Sequence, residues 1–399
     1  MSSHDPADVA NGIGSIAQNS MRCMLELGHE VCGVFIVDES ARGPICSQSR
    51  SGFLDQLSVV RLARKNDFMK DSFRALSRVF LSPVERKFGQ EVRLRSRDCD
   101  LAVWFGTLWD PLNMAILTDC ECPVVLHVND SITLVRQQRS VSISGRIQTA
   151  VAKYHESGVI RRLGTDRAAI VYVAEADRQC ALTMARPQNE TGVSCIPLAV
   201  NTDVFSPATE ANLRSSDPVL LLTGHMGYTP NVLAATHLVR NILPLLPQKL
   251  ELRFVGRDPR PTVLELAQAD PRVRVTGGVE DIVSEYRNAD VFVAPLPFSY
   301  GMKTKVLEAM SCGLPVVASP EGCSGFEGGT PPGILVGNSS EEIAALITKL
   351  LADERLRRSL GRAGRDHVLM NYGWMDRTRR LVSLLRSEEK LAPVRAGKP

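Results

Sequence analysis

Paired metal-binding or redox cysteines are missing from this chain of 399 residues. Its ten cysteines include no C-x-x-C, and Cys120 and Cys122 stand on either side of a single residue. That pattern excludes the common zinc and dithiol frameworks and fits a reduced, cytoplasmic protein. No apolar run is long enough to cross a bilayer, and the start M-S-S-H-D-P lacks the positive flank and apolar core of a signal peptide. Membrane contact is therefore expected to be peripheral, at the inner face. Charge of one sign is also scarce, with a net charge of only +3, so no nucleic-acid partner is expected. Short basic clusters at 61–65, 93–97 and 377–380 are solvated faces or patches for an anionic lipid or acceptor.

What is present reads as two α/β domains. The chain is too long for one ordinary core, and 44% apolar with 23% charged residues is a globular composition. Short β-branched runs at 30–36, 99–106, 122–128, 168–174 and 192–197 alternate with helical lengths, which predicts parallel strands with crossover helices. A polar, aperiodic stretch at 201–218 reads as a linker. A second alternation follows, with strands beginning at Pro218, Leu252, Val273, Asp290, Leu314 and Gly333 and helical text from Asn231.

The most informative segment is P-L-P-F-S-Y-G-M-K-T-K-V-L-E-A-M-S-C-G-L-P-V-V-A-S-P, residues 295–320. It reads as strand end, glycine loop, short helix and buried strand, with Gly301, Lys303, Lys305 and Glu308 gathered together. A helix start offers an anion unpaired amides and positive potential, and a glycine allows close approach. The lysines add charge, and the carboxylate suits sugar hydroxyls, as in dinucleotide folds. The alternative is a surface ion pair between Lys305 and Glu308, three apart on a helix. Gly224, in T-G-H-M-G-Y-T-P-N, is a matching glycine turn. At the amino end Gly12 and Gly14 precede an amphipathic helix, but the strand expected before them is missing, which implies lost stability and activity.

The run G-H-M-G-Y-T-P-N-V-L-A-A, the stretch Val275–Pro297, the donor loop with its acidic helix, and N-Y-G-W at 371–374 resemble retaining glycosyltransferases of the GT-B fold, family 4 and its relatives. The resemblance implies two Rossmann-like parallel-sheet domains facing a cleft: an acceptor-side domain over 1–207, a nucleotide-sugar domain over 208–372, a closing helix over 373–390 and a tail over 391–399. P-V-V-L-H-V-N-D-S, V-A-E-A-D and I-P-L-A-V-N-T-D-V-F-S-P resemble the acceptor domain more loosely.

By this resemblance the chain moves a sugar from a nucleotide-sugar to a glycan, lipid-linked or small-molecule acceptor. Gly224, His225, Tyr300, Gly301, Met302, Lys303, Thr304, Lys305 and Glu308 would hold the donor, with Gly278 and Val279 near its base. Tyr300 stands where many family members carry a first glutamate. His127 and Asp130 would orient sugar and acceptor, with Asp130 a candidate base; the alternative is a helix start capped by Asp130 or Ser131. Asn11, Gly12 and Gly14 would line the acceptor side. No D-x-D stands at a plausible donor loop, so neither an obligatory metal nor another cofactor is expected. Two other readings stay open: a catalytically silent GT-B scaffold, and a sugar-nucleotide epimerase. An NAD-dependent oxidoreductase would want G-x-G-x-x-G directly after a strand.

Overall fold

The computed structural model describes residues 12–31, 33–38, 57–62, 89–90, 92–94, 96–97, 99–106, 119–139, 143–163, 168–185, 192–208, 217–298 and 301–387. Contacts divide the chain into two units, Met1–Ile196 with Thr378–Pro399, and Pro197–Arg377. The expected loss of a first strand concerns residues 1–11, and Asn11 with it; these lie outside the described residues.

In the first unit α1 (Gly12–Glu26) is followed by a parallel pair, β1 (Gly33–Asp38) and β2 (Leu57–Leu62). A four-stranded parallel sheet runs in the order β3 (Ala102–Gly106), β4 (Val124–Val128), β5 (Ala168–Tyr172), β6 (Val193–Cys195). Its crossovers contain α2 (Ile132–Arg139), α3 (Ile143–Leu163) and α4 (Glu175–Ala185). Every residue of β4 and β5 is buried, as a parallel sheet covered on both faces requires. Two expectations are corrected. Gly12 and Gly14 lie inside the first turn of α1 rather than in a loop before it, and β2, whose L-S-V-V-R-L breaks strict alternation, is a strand the sequence reading lacks.

The second unit holds a six-stranded parallel sheet ordered β12-β11-β10-β7-β8-β9. Its strands are β7 (Val219–Thr223), β8 (Glu251–Val255), β9 (Val273–Gly277), β10 (Val291–Ala294), β11 (Val316–Ala318) and β12 (Ile334–Val336). Its helices are α5 (Thr229–His237), α6 (Pro261–Ala269), α7 (Ile282–Arg287), α8 (Thr304–Ser311), α9 (Ser340–Ala352) and α10 (Glu354–Asn371). The helical text from Asn231 begins at Thr229, loosens into a π turn at Leu238–Ile242 and ends in a 3₁₀ turn at Leu243–Leu245. Pro244 withholds an amide there, so a regular helix cannot continue.

The division falls at Ile196 rather than at 207 because the stretch after Pro197 is bonded to the second unit. Ser311 Oγ donates to the Phe205 carbonyl at 2.5 Å and Arg287 Nε to that of Ser206 at 2.8 Å. The last helix, α11 (Trp374–Ser387), starts in the second unit and continues into the first. There Leu381 packs with Val125, Ala169, Val171 and Ile196.

At the carboxyl ends of β7 and β8 the backbones approach so closely that only glycine fits. A Cβ on Gly256 would lie 1.7 Å from the Gly224 carbonyl oxygen, inside any van der Waals contact. Gly256→Ala is therefore expected to destabilise the second unit by about 2 kcal/mol, read as a lower melting midpoint; an unchanged midpoint would contradict this packing.

Candidate functional site

The second sheet reverses its strand order between β7 and β10, which pair in parallel through Val291 with Leu220 and Phe292 with Leu221. Chains leaving these two strands diverge to opposite sides and open a crevice beyond their carboxyl ends, the usual ligand position in such sheets. After β7 comes the Gly224–His225 turn and α5. After β10 come the glycine loop and α8.

The two sides meet through side chains. Lys305, on the first turn of α8, donates from Nζ to Asn231 Oδ1 at 2.5 Å, and Asn231 Nδ2 donates to the His225 carbonyl at 2.9 Å. His225 Nε2 in turn lies 2.9 Å from Asp258 Oδ2. One turn further along α8, Glu308 Oε2 accepts from the Tyr286 hydroxyl at 2.7 Å, and that hydroxyl also lies 2.7 Å from Thr223 Oγ1 at the end of β7. Lys305 and Glu308 thus face different partners inside the unit, and the surface ion pair is not what forms.

Electrostatics follow from this enclosure. Burial, with the nearby Lys303 charge, pushes the Lys305 ammonium down to about 7, while Glu308 opposes the shift. Burial pushes Glu308 up against the opposing Tyr286 hydrogen bond and Lys305 charge. Desolvation, then the Glu308 charge, holds the Tyr286 hydroxyl well above its ordinary value. Lys303 is the N-cap residue of α8, which has no side-chain cap. Its Nζ turns back to the Gly301 carbonyl at 3.3 Å. Gly301 itself has φ 60°, and the Gly325 turn packs so tightly on it that a Cβ at Gly325 would sit 2.8 Å from the Gly301 oxygen.

The remaining expected donor residues fall on the same rim or beside it. Met302 is buried and Thr304 exposed. Gly278 and Val279 follow β9, and a Cβ on Gly278 would be 3.6 Å from Arg257 Cβ, in the loop whose carbonyl takes the Met226 amide at 2.9 Å. Tyr300 lies outside the described residues.

The first unit gathers different groups at the ends of β4 and β5. Contrary to the expectation of a ring at the strand end, His127 sits within β4 and is 1% exposed. Its ring packs tilted against that of Phe105, with centroids 5.1 Å apart. Asp130 is half-buried just before Ser131, whose hydroxyl takes the Leu134 amide at 3.3 Å and so caps the start of α2. The buried Glu156, absent from the sequence reading, accepts from Ser131 Oγ at 3.1 Å, the Thr133 amide at 3.0 Å and the Tyr172 hydroxyl at 3.3 Å. Burial raises its pKa despite those bonds.

Residues 217–353 match the family Glycosyl transferases group 1. The matched stretch falls within the second unit. Across the whole chain, a glycosyltransferase from Rickettsia africae shares the fold with a TM-score of 0.69 at 15% identity, covering 98% of this chain and 97% of that one. The Anabaena HepE structure with UDP and glucose aligns with a TM-score of 0.63 at 16% identity, covering 90% of this chain and 100% of that one. Both likenesses bear out a GT-B fold of two parallel-sheet units. Among curated proteins, a GDP-mannose-dependent alpha-(1-6)-phosphatidylinositol monomannoside mannosyltransferase of Mycolicibacterium smegmatis is 28% identical over 257 residues, 57% of this chain and 64% of that protein. The chain thus spans less than two thirds of that relative's length.

The second unit holds three polar groups that the sequence reading missed as site members: Tyr286, Asn231 and Thr223. Each lay within a motif already singled out, but nothing in linear text marks which polar side chain turns inward. The lowered Lys305 pKa gives a sign for pH dependence. Between about 7 and the ordinary lysine value of 10.5, the unfolded chain binds more protons than the folded one, so stability rises with pH across that window. Melting midpoints of the parent relative to Lys305→Met should therefore climb between those values. Parallel curves would show that Lys305 is not desolvated.

Proposed function

We propose that the chain is a glycosyltransferase that transfers a sugar from a nucleoside diphosphate sugar to an acceptor hydroxyl, with retention and without an obligatory metal. The observation that carries this reading is the convergence of Lys303, Lys305 and Glu308 at the β7/β10 crevice of a group 1 domain.

Departure of a nucleoside diphosphate concentrates negative charge while positive character grows on the sugar. Two lysines and the uncapped start of α8 oppose that negative charge where it develops. Tyr286 fixes one oxygen of Glu308, leaving Oε1 to accept a ribose hydroxyl. The relatives' GDP-mannose and UDP point to GDP- and UDP-sugars as the donors to screen. In the first unit Asp130, half-buried before the start of α2, would orient or deprotonate an acceptor hydroxyl. With its ring enclosed, His127 would contribute through the backbone.

A lipid-linked acceptor at a membrane surface fits the relative's phosphatidylinositol mannoside and the surface of α3. There Ile147 and Tyr154 are 61% and 62% exposed. They lie two turns apart beside exposed Arg146, Lys153 and Arg161. A cavity of about 360 Å³ lined by Lys153, Tyr154, Ser157 and Arg161 opens on this face. Apolar and aromatic groups interleaved with cations suit an anionic bilayer. The cluster at 93–97 is a poorer candidate, since Arg93 pairs with Asp119 at 2.5 Å and Arg97 with Glu121 at 3.4 Å. Among the described residues no helix is long and apolar enough to cross a membrane.

Released nucleoside diphosphate, measured across GDP- and UDP-sugars with and without acceptor, should depend on both substrates and survive EDTA. Glu308→Ala should weaken donor binding at least about tenfold, the cost of one charge-assisted hydrogen bond. Absence of release and binding with every donor would leave the silent scaffold as the better reading. Sedimentation with phosphatidylglycerol vesicles should be lost in Arg146→Glu/Lys153→Glu, with neutral vesicles binding neither protein; equal sedimentation of the variant would remove α3 as the contact.

A further inference from the structure

Asn231 bonds both sides of the crevice, and the proposed chemistry gives it no part. It stands in the first turn of α5 and is 5% exposed, yet both atoms of its amide are engaged. Nδ2 donates to the His225 carbonyl on the β7 side at 2.9 Å, and Oδ1 accepts from Lys305 Nζ on the β10 side at 2.5 Å. The fit is close. A Cβ on Gly224 would lie 2.6 Å from Asn231 Nδ2 and 3.3 Å from Lys305 Nζ, so the missing side chain at Gly224 is what admits both groups.

A lysine ammonium is a mobile point charge on a flexible stem, and ordering it costs side-chain entropy. An acceptor already fixed by α5 and by the Gly224–His225 turn removes that cost before any anion arrives. It occupies one of three N–H groups and leaves two for oxygens of a ligand. An amide does this without neutralising the charge, which a carboxylate in its place would do. The other charged groups facing the ammonium are Lys303 and Glu308 of its own helix segment, while the His225 ring pairs with Asp258.

We propose that Asn231 is a positioning residue, holding the Lys305 ammonium over the crevice so that its positive charge meets the diphosphate of the donor. This rests on the nucleotide-sugar reading above, and the two can fail separately.

The test uses the whole chain, with GDP, UDP, guanosine and uridine as probes in calorimetry. Asn231→Ala should weaken the bound diphosphate about tenfold and leave the nucleoside unchanged. Combined with Lys305→Ala it should cost no more than Lys305→Ala alone, because one acts through the other. Additive losses, or an equal loss for the nucleoside, overturn the inference and make Asn231 a packing residue. If no nucleotide binds the parent, the nucleotide-sugar reading fails. The positioning is then judged in the free protein from the titration of ε-carbon-labelled lysine, with the Lys305 signal assigned by Lys305→Arg. Asn231→Ala should lower its midpoint and Asn231→Asp should raise it, each by about one pH unit. A midpoint unmoved by both overturns the inference, and the aspartate variant keeps the test open should the alanine variant fail to fold.

Discussion

Close approach of the Gly224 and Gly256 backbones is the constraint on which the second unit's chemistry depends. The Gly224 amide donates to Val255 O at 3.0 Å and the Gly256 amide to Gly277 O at 2.9 Å, so three successive strand ends are pinned side by side. Because no Cβ projects from Gly224, the Asn231 amide and the Lys305 ammonium occupy the space a side chain would take. A charge on α8 is thereby referred to the β7 side of the sheet rather than left to solvent.

Two carboxylates, Glu156 buried and Glu308 half-buried, show how the fold handles desolvation differently in its two units. Glu156 is enclosed by a serine hydroxyl, a backbone amide and a tyrosine hydroxyl, and its bonds fasten α3 to the start of α2 and the end of β5. Such satisfaction is what a structural carboxylate requires. Glu308 has Tyr286 on one oxygen and a cation one turn away, which holds the carboxylate in place without filling its capacity. A fully bonded carboxylate braces an architecture; a partly bonded one beside a lysine suits ligand recognition.

Much of the fold was legible in the chain. Runs such as P-V-V-L-H-V and D-V-F-V-A-P are β-branched, short and bounded by turn residues, and they became buried parallel strands. The glycine loop at 301 and the helix after it were legible for the same reason, since glycine, lysines and an apolar stripe at helical spacing are local signals. β2 was missed because its serine and arginine interrupt the apolar run. The extent of the second unit was misjudged because 197–207 is polar text whose attachment depends on carbonyl bonds to Ser311 and Arg287, both far along the chain.

By itself the sequence determined the alternation of strand and helix, the two α/β units, and the residue types at the donor loop, since periodicity, turn chemistry and helix starts are set by near neighbours. Only the tertiary structure decided that Lys305 bonds Asn231 rather than Glu308, that Tyr286 holds Glu308, and that His127 is enclosed against Phe105. Those outcomes turn on which strands lie side by side and on which side chains the sheet removes from water. Such pairings join residues tens of positions apart and leave no mark in local spacing.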